Sequence, residues 1–197
     1  MYPNLVTYHI HRQEPLPLSD ALAYQYILAG NGLFVRAETR FFAACIPIAA
    51  CVVRGLPPLA TAFRLKIPRL SGSLLNSILA DAGRARRPGG GLNEVFYRLH
   101  YQAGRVQVRR PRQAVTASSV VTAGDGDPSI LCELHSHGNM AAYFSATDNA
   151  DEQGARLYGV MGRLDSEPEL QLRVGVYGYW LPLPVTAVFR SSGPFSE

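Results

Sequence analysis

The segment HSHGNMAAYFSATD, residues 135–148, constrains the fold more than any other part of the chain. His135 and His137 stand one residue apart at the end of an apolar run that is typical of a β-strand. Alternate side chains of a strand point to the same face, so both imidazoles can reach one metal ion. Asp148 comes back from the next element as a third donor. Three protein ligands leave one coordination position open, which distinguishes a catalytic zinc site from a structural one.

Each part of this pattern also has a simpler interpretation. Two strand histidines can face solvent, and the sequence from Ser145 to Asp148 is typical of a helix N-terminus, with a capping serine and an acid three residues on. The joint pattern favours the metal site. The helix cap is compatible with it, because the cap would fix where Asp148 begins.

The pattern resembles the JAMM motif of the MPN/JAB metallopeptidases, which is a Glu, a long gap and then His-x-His-x7-Ser-x2-Asp. All four C-terminal positions match, and residues 135–165 are still more similar to one prokaryotic branch, the PRTRC system protein A group. The resemblance covers about residues 62 to 189. It implies one zinc ion per chain, held by His135, His137 and Asp148. The family often has Pro after the second His, and Gly138 in its place is predicted to loosen the loop without removing a ligand.

Two carboxylates are candidates for the general base that metal-assisted amide hydrolysis requires. In the family this base is a Glu at the start of a strand, well before the histidines, and Glu94 fits because it lies between a helix pattern and the strand pattern VFYRLHY. The family's Gly, two or three residues later, is here Phe96 or Tyr97. Glu133 is the alternative, since it has the same strand parity as the histidines. We favour Glu94 as the base and Glu133 as an acceptor for an imidazole N–H.

The serine of the motif has two interpretations. The resemblance implies that the Ser145 hydroxyl donates to the oxyanion formed on the scissile carbonyl. The alternative is the helix cap, which contributes about 1 kcal/mol of stability.

The cysteines and the apolar segments favour a cytoplasmic protein. Cys45, Cys51 and Cys132 show no paired spacing, which suits a reducing compartment. Cys132 has the opposite strand parity to the histidines and is predicted to face the core. The N-terminus lacks the apolar region of a secretory signal, and the run FFAACIPIAACVV is too short to span a bilayer. No membrane association is expected.

The basic charge is carried almost entirely by arginine. The chain has a formal net charge of +4, and arginines cluster at 84–87 and 105–112. Arg109, Arg110 and Arg112 either line a groove for an acidic partner or solvate an edge strand. We favour the second interpretation, and no interleaved aromatic residues resemble a nucleic-acid-binding fingerprint. Nucleic-acid binding is therefore the less favoured use of these charges.

The predicted elements are mixed. Helices are predicted at 19–29, 72–83 and about 146–156. One or two strands are predicted at 33–53, with a break at Pro47, and a loop is predicted at 122–129. Further strands are predicted at 63–68, 94–101, 104–109, 114–121, 130–136, 157–162, 169–177 and 185–189. This order indicates an α/β or α+β class, a mixed curved sheet flanked by helices. The resemblance implies the cytidine-deaminase-like JAB/MPN sandwich. Its expected boundaries are an N-terminal extension at 1–60 packed on the core, the metallopeptidase domain at 61–190 and a tail at 191–197.

The expected function is zinc-dependent hydrolysis of an amide bond. By resemblance, the bond is a peptide or isopeptide bond at the C-terminal tail of a ubiquitin-like β-grasp protein, and a ThiF-like activating protein is a second implied partner. Three alternatives belong to other classes. They are a zinc hydrolase of small amides or dipeptides, a basic nucleic-acid-binding plasmid protein, and an inert MPN scaffold. The scaffold is disfavoured because no ligand of the motif is missing.

Overall fold

The computed structural model describes residues 4–111, 113–115, 120–122 and 127–196. It confirms the α+β class, with two mixed sheets and few helices. The chain divides into two compact units. The first contains the residues up to Pro68 together with 153–155 and 175–181, and the second contains 69–152, 156–174 and 182 onwards. The expected domain boundary at residues 60/61 stays a prediction.

The first unit is built on a five-stranded sheet. Its strands lie in the order β1 (Val6–Ile10), β2 (Tyr24–Ala29), β3 (Gly32–Glu38), β4 (Phe42–Ala50) and β5 (Ala62–Leu65). β1 runs parallel to β2, and the other pairs are antiparallel. The break predicted at Pro47 does not occur. Pro47 lies inside β4, where the register with β3 shifts by one residue.

The helix predicted at 19–29 is wrong, because β2 occupies its second half. Burial alternates along this strand, with Gln25, Ile27 and Ala29 buried. The two-residue connection Gly30–Asn31 brings Ala29 opposite Gly32, so β2 can pair with β3. Aromatic and branched residues favour such a half-buried strand. Pairing on both sides therefore outweighed the local helix pattern.

A sheet of six strands lies mostly in the second unit. The order is β13 (Tyr179–Leu183), β12 (Glu169–Val176), β11 (Ala155–Gly162), β10 (Ile130–Ser136), β6 (Phe96–Gln102) and β7 (Arg105–Arg109). Helix α1 (Ser73–Ala82) precedes β6, as predicted, and helix α2 (Ala146–Asp151) lies between β10 and β11. The short strands β8 (Gln113–Val115) and β9 (Val120–Thr122) pair with each other.

Three predicted elements of the second unit need correction. The strand predicted at 114–121 is two strands, and residues 116–119 lie outside the described residues, as do 123–126 of the predicted loop. The helix predicted at 146–156 ends at Asp151. The strand predicted at 185–189 is a 3₁₀ helix at Val185–Ala187, and the strand lies just before it, at Tyr179–Leu183. Pro182 is tolerated there because β13 is an edge strand.

Strand β10 is central and separates two faces of the sheet. It pairs parallel to β11 and antiparallel to β6. Cys132 and Leu134 are fully buried on one face, and the tyrosine opposite Leu134, Tyr97, donates a hydrogen bond to Asp81 of α1 (2.8 Å). By strand alternation His135 points to the other face. Among the described residues, no helix is long and apolar enough to cross a membrane.

Candidate metal centre

The histidine segment is held on both sides by backbone hydrogen bonds. The Ser136 N–H donates to the Val95 carbonyl (2.9 Å), and the Val95 N–H donates to the Ser136 Oγ (3.0 Å). On the other side, the His137 N–H donates to the Met161 carbonyl (2.7 Å). Because both neighbouring strands hold the backbone, the two imidazoles have little freedom to move apart.

The three predicted ligands converge. His135 Nε2 lies 3.2 Å from His137 Nε2 and 3.2 Å from Asp148 Oδ1, and all three donor atoms lie within 4.8 Å of one another. Donors about 2.0–2.1 Å from a tetrahedral zinc ion are separated from one another by about 3.3 Å. Two edges of this triangle therefore already have the length that zinc requires. The residues present fit the metal, and zinc ligation itself stays a prediction.

Both imidazoles are held in the neutral form. Burial lowers the pKa of His135 to about 4 and also lowers the pKa of His137, while the Asp148 carboxylate opposes both shifts. Neutral imidazole is the form that donates a lone pair to a metal, so no proton has to be displaced from these rings near pH 7.

Ser145 caps α2 and also fixes the orientation of Asp148. The Asp148 N–H donates to the Ser145 Oγ (3.2 Å), and the Ser145 N–H donates to Asp148 Oδ2 (2.6 Å). This reciprocal pair is a capping box. It occupies Oδ2 and leaves Oδ1 to face His135. The cap uses the serine oxygen as an acceptor, so the hydroxyl proton can still be donated, and the oxyanion role stays a prediction.

Gly138 has a left-handed backbone conformation in the turn after the histidines, and its predicted loosening of the loop stays a prediction. Its φ is +58°, a left-handed conformation that Pro cannot adopt. A Cβ at this position would lie 3.0 Å from the Leu92 carbonyl oxygen. The turn is closed by the Met140 N–H, which donates to the His137 carbonyl (3.1 Å). This turn therefore favours Gly and excludes Pro.

Glu94 is a buried carboxyl group beside the cluster. It directly precedes Val95, whose backbone bonds to Ser136 between the two histidines, and only 5% of the residue is exposed. Burial raises its pKa to about 7, and the nearby negative charge of Asp148 adds to the shift. Burial and the effect of Asp148 put this carboxyl group near the cluster, and its role as general base stays a prediction.

We expect Glu94→Gln to stabilise the metal-free protein at pH 8. The pKa of Glu94 in the folded chain, about 7, lies above the ordinary value of 4.5. The folded state therefore holds its proton more tightly, and stability falls as pH rises from about 4.5 to about 7. The variant escapes this loss, which we expect to be about 1–3 kcal/mol. Urea unfolding at pH 8 and pH 5 with chelator present checks it. If the unfolding free energies of the variant and the wild type differ by the same amount at both pH values, the burial of this charge is contradicted.

Glu133 is paired with two arginines. Its Oε1 accepts from Arg98 Nε (3.1 Å) and Arg156 Nη1 (3.0 Å). It lies on the His135 face of β10, as its parity predicted. The local sequence does not indicate these ion pairs, because both arginines come from neighbouring strands. The predicted hydrogen bond from an imidazole to Glu133 stays a prediction. Its catalytic role stays a prediction.

Other titratable groups near the motif are engaged elsewhere. His100 Nδ1 lies 2.7 Å from Ser129 Oγ and 3.3 Å from an Asp127 oxygen, away from the cluster. Cys132 is fully buried, as predicted, and burial holds the pKa of its thiol well above the ordinary range. Neither residue has the exposure or the contacts expected of a second catalytic group.

The arginine clusters are mostly at the surface. Arg109 and Arg110 lie at the end of the edge strand β7, and Arg110 forms an exposed ion pair with Asp81 (3.6 Å). Arg112 lies outside the described residues. An edge strand bearing solvated arginines agrees with the favoured interpretation.

Residues 87–174 match the family model of prokaryotic homologs of the JAB domain. The match covers less than half of the chain, and it contains Glu94, Glu133, the serine and all three candidate ligands. It supports the JAB resemblance and does not distinguish the PRTRC system protein A group. No curated protein matches the chain.

The sequence did not predict two residues beside the candidate cluster, Tyr143 and Arg173. The ring of Tyr143 stands edge-on to His137, with 4.7 Å between ring centroids. Arg173 of β12 reaches the segment that carries Asp148 through Phe144 and Glu152. No local signal marks Arg173, because its partners lie more than twenty residues away in the chain.

Proposed function

We propose that this chain is a zinc-dependent JAMM-type peptidase that hydrolyses an amide bond, most similar to the PRTRC system protein A group. The observation that carries the proposal is the convergence of His135, His137 and Asp148 within 4.8 Å, with 3.2 Å along two edges. The buried carboxyl group of Glu94 beside them supplies the second part that amide hydrolysis requires.

The chemistry divides between the metal and the chain. When bound, zinc supplies a water of lowered pKa and polarises the carbonyl of the amide. Glu94, with a pKa near 7 in the metal-free chain, is suited to accept a proton and return it to the leaving amine. The Ser145 hydroxyl donates its proton towards the oxyanion, and its oxygen keeps the helix cap. The capping box keeps Asp148 Oδ1 directed at His135.

The proposed substrate is the C-terminal tail of a ubiquitin-like β-grasp protein, cut at a peptide or isopeptide bond in the cytoplasm. The support is the resemblance of the motif, together with the JAB match over residues 87–174. An extended tail can bind by adding to a free strand edge. A ThiF-like activating protein is the further partner that this proposal includes.

The test is whether the chain, loaded with zinc, cleaves a β-grasp protein that carries a C-terminal extension. We expect cleavage without ATP, loss of activity with chelator, and recovery when zinc is added. We also expect Cys132→Ala to keep activity, because that thiol is fully buried and the nucleophile is water. Iodoacetamide can reach only Cys51 among the three cysteines, since Cys45 and Cys132 are buried, and it should be harmless.

Three outcomes of this experiment separate the alternatives. Activity that survives chelation and is lost in folded Cys132→Ala would mean a cysteine enzyme. Cleavage of dipeptides but not of any protein tail would assign the site to small amides. A zinc-loaded chain that cleaves neither would indicate a binding scaffold, since JAB domains of this kind can be non-catalytic.

A further inference from the structure

Helix α2, which presents the candidate ligand Asp148, is too short to be stable without packing against the rest of the fold. It is only six residues long, Ala146–Asp151, and none of these residues is buried. Isolated helices of fewer than about twelve residues are marginal in water, so most helical stability comes from tertiary packing. The capping box secures the first turn internally but does not attach the helix to the sheet.

Arg173 of strand β12 contacts the chain at both ends of this helix. Its guanidinium carbon lies 3.7 Å from the centroid of the ring of Phe144, and Phe144 immediately precedes the cap residue Ser145 in the chain. Its Nε and Nη2 lie 2.7 and 2.6 Å from Oε2 of Glu152, the residue that follows the last helical residue, Asp151. Arg173 and Glu152 are each 7% exposed. One side chain of the sheet thus contacts the segments on both sides of Asp148.

We propose that Arg173 is a positioning residue that clamps α2 to the sheet and so places Asp148 against His135. The proposal rests on the proposed metal site, and it adds that this site depends on a residue outside the motif. Arg173 acts through Phe144 and Glu152, which flank the helix that carries Asp148.

Charge alone predicts the opposite effect of removing this arginine. A guanidinium near the cluster repels a bound cation, and its positive charge contributes to lowering the pKa of His135. Replacing Arg173 by Met would leave the Glu152 carboxylate unneutralised and would attract zinc more strongly. The clamp predicts weaker binding instead, because Asp148 is no longer held against His135. The sign of the change therefore separates the two effects.

The first experiment measures zinc and cobalt affinity by competition with a chromophoric chelator. We expect Arg173→Met to weaken binding about ten-fold or more, a change typical for residues that orient metal ligands. Arg173→Lys keeps the charge and should recover part of the affinity. Arg98→Met is the matched control, because Arg98 is also 7% exposed and pairs with a carboxylate, that of Glu133 on β10. It also removes a guanidinium from beside a carboxylate, so zinc binding should not weaken. Equal or tighter binding in Arg173→Met would overturn the proposal.

The second experiment needs no metal. In the metal-free wild type, the amides of Asn149 and Glu152 donate to the carbonyls of Ser145 and Asp148. The rate of hydrogen exchange at these two amides therefore reports whether the helix stays folded. We expect Arg173→Met to speed exchange at these amides while β10 amides such as Leu134 stay protected. If Arg173→Met does not fold, Phe144→Leu and Glu152→Gln each remove one half of the clamp and should show the same local effect.

The two experiments distinguish failure of this proposal from failure of the proposed function. If the wild type binds no metal but α2 exchange increases in the variants, the zinc function is wrong and the clamp stands. If the wild type binds zinc and α2 exchange is unchanged in Arg173→Met, the clamp is wrong and the metal site stands.

Discussion

Replacing Glu94 by Gln is expected to lower kcat by about a hundred-fold or more, while zinc content and fold are unchanged. Gln keeps the size and polarity of the side chain but cannot accept a proton near neutral pH. Glu94 is not among the converging donors, so removing its charge should not release the metal. Rates on a cleavable β-grasp tail, with zinc content measured on the same sample, check this prediction.

The matched control for that experiment is Glu133→Gln. Glu133 is a partly buried carboxylate of β10 in the same unit as Glu94, but its charge is shared with Arg98 and Arg156. Its replacement leaves two guanidinium groups without that carboxylate, so a loss of stability is expected and a loss of catalysis is not. A fully active Glu94→Gln protein beside an inactive but folded Glu133→Gln protein would mean that Glu133 is the base.

Replacing His137 by Ala is expected to reduce zinc content from about one ion per chain to almost none. The variant leaves two donors, His135 and Asp148, where a zinc site normally has at least three protein ligands. The stabilisation that zinc gives the folded chain should vanish with it, about 2.7 kcal/mol at a free zinc concentration a hundred times the Kd. Metal analysis after gel filtration and thermal unfolding with and without zinc measure both effects.

The control for this variant is His100→Ala. His100 is another buried histidine of the same sheet, 4% exposed, and its ring contacts Ser129 and Asp127. Its loss should lower stability and leave zinc content near one per chain. Full zinc occupancy in His137→Ala would rule out the assigned site, and zinc loss in both variants would point to general unfolding.

The sequence determined the candidate site because its ligands are set by local spacing. His135 and His137 share a strand face through the two-residue period, and the Ser145–Asp148 spacing specifies the capping box that was found. The helix at 72–83 and the strand of the motif were predicted for the same reason. Each depends on contacts between residues close in the chain.

The tertiary structure decided what depends on distant partners. Residues 24–29 became a strand because β1 and β3 pair with it on both sides. Glu133 is neutralised by arginines from two neighbouring strands, and burial beside Asp148 raises the pKa of Glu94. Arg173 reaches α2 from β12. The local pattern therefore specified which groups converge. The burial of Glu94, the ion pairs of Glu133 and the contacts of α2 depend on residues that lie far apart in the chain and meet only in the folded protein.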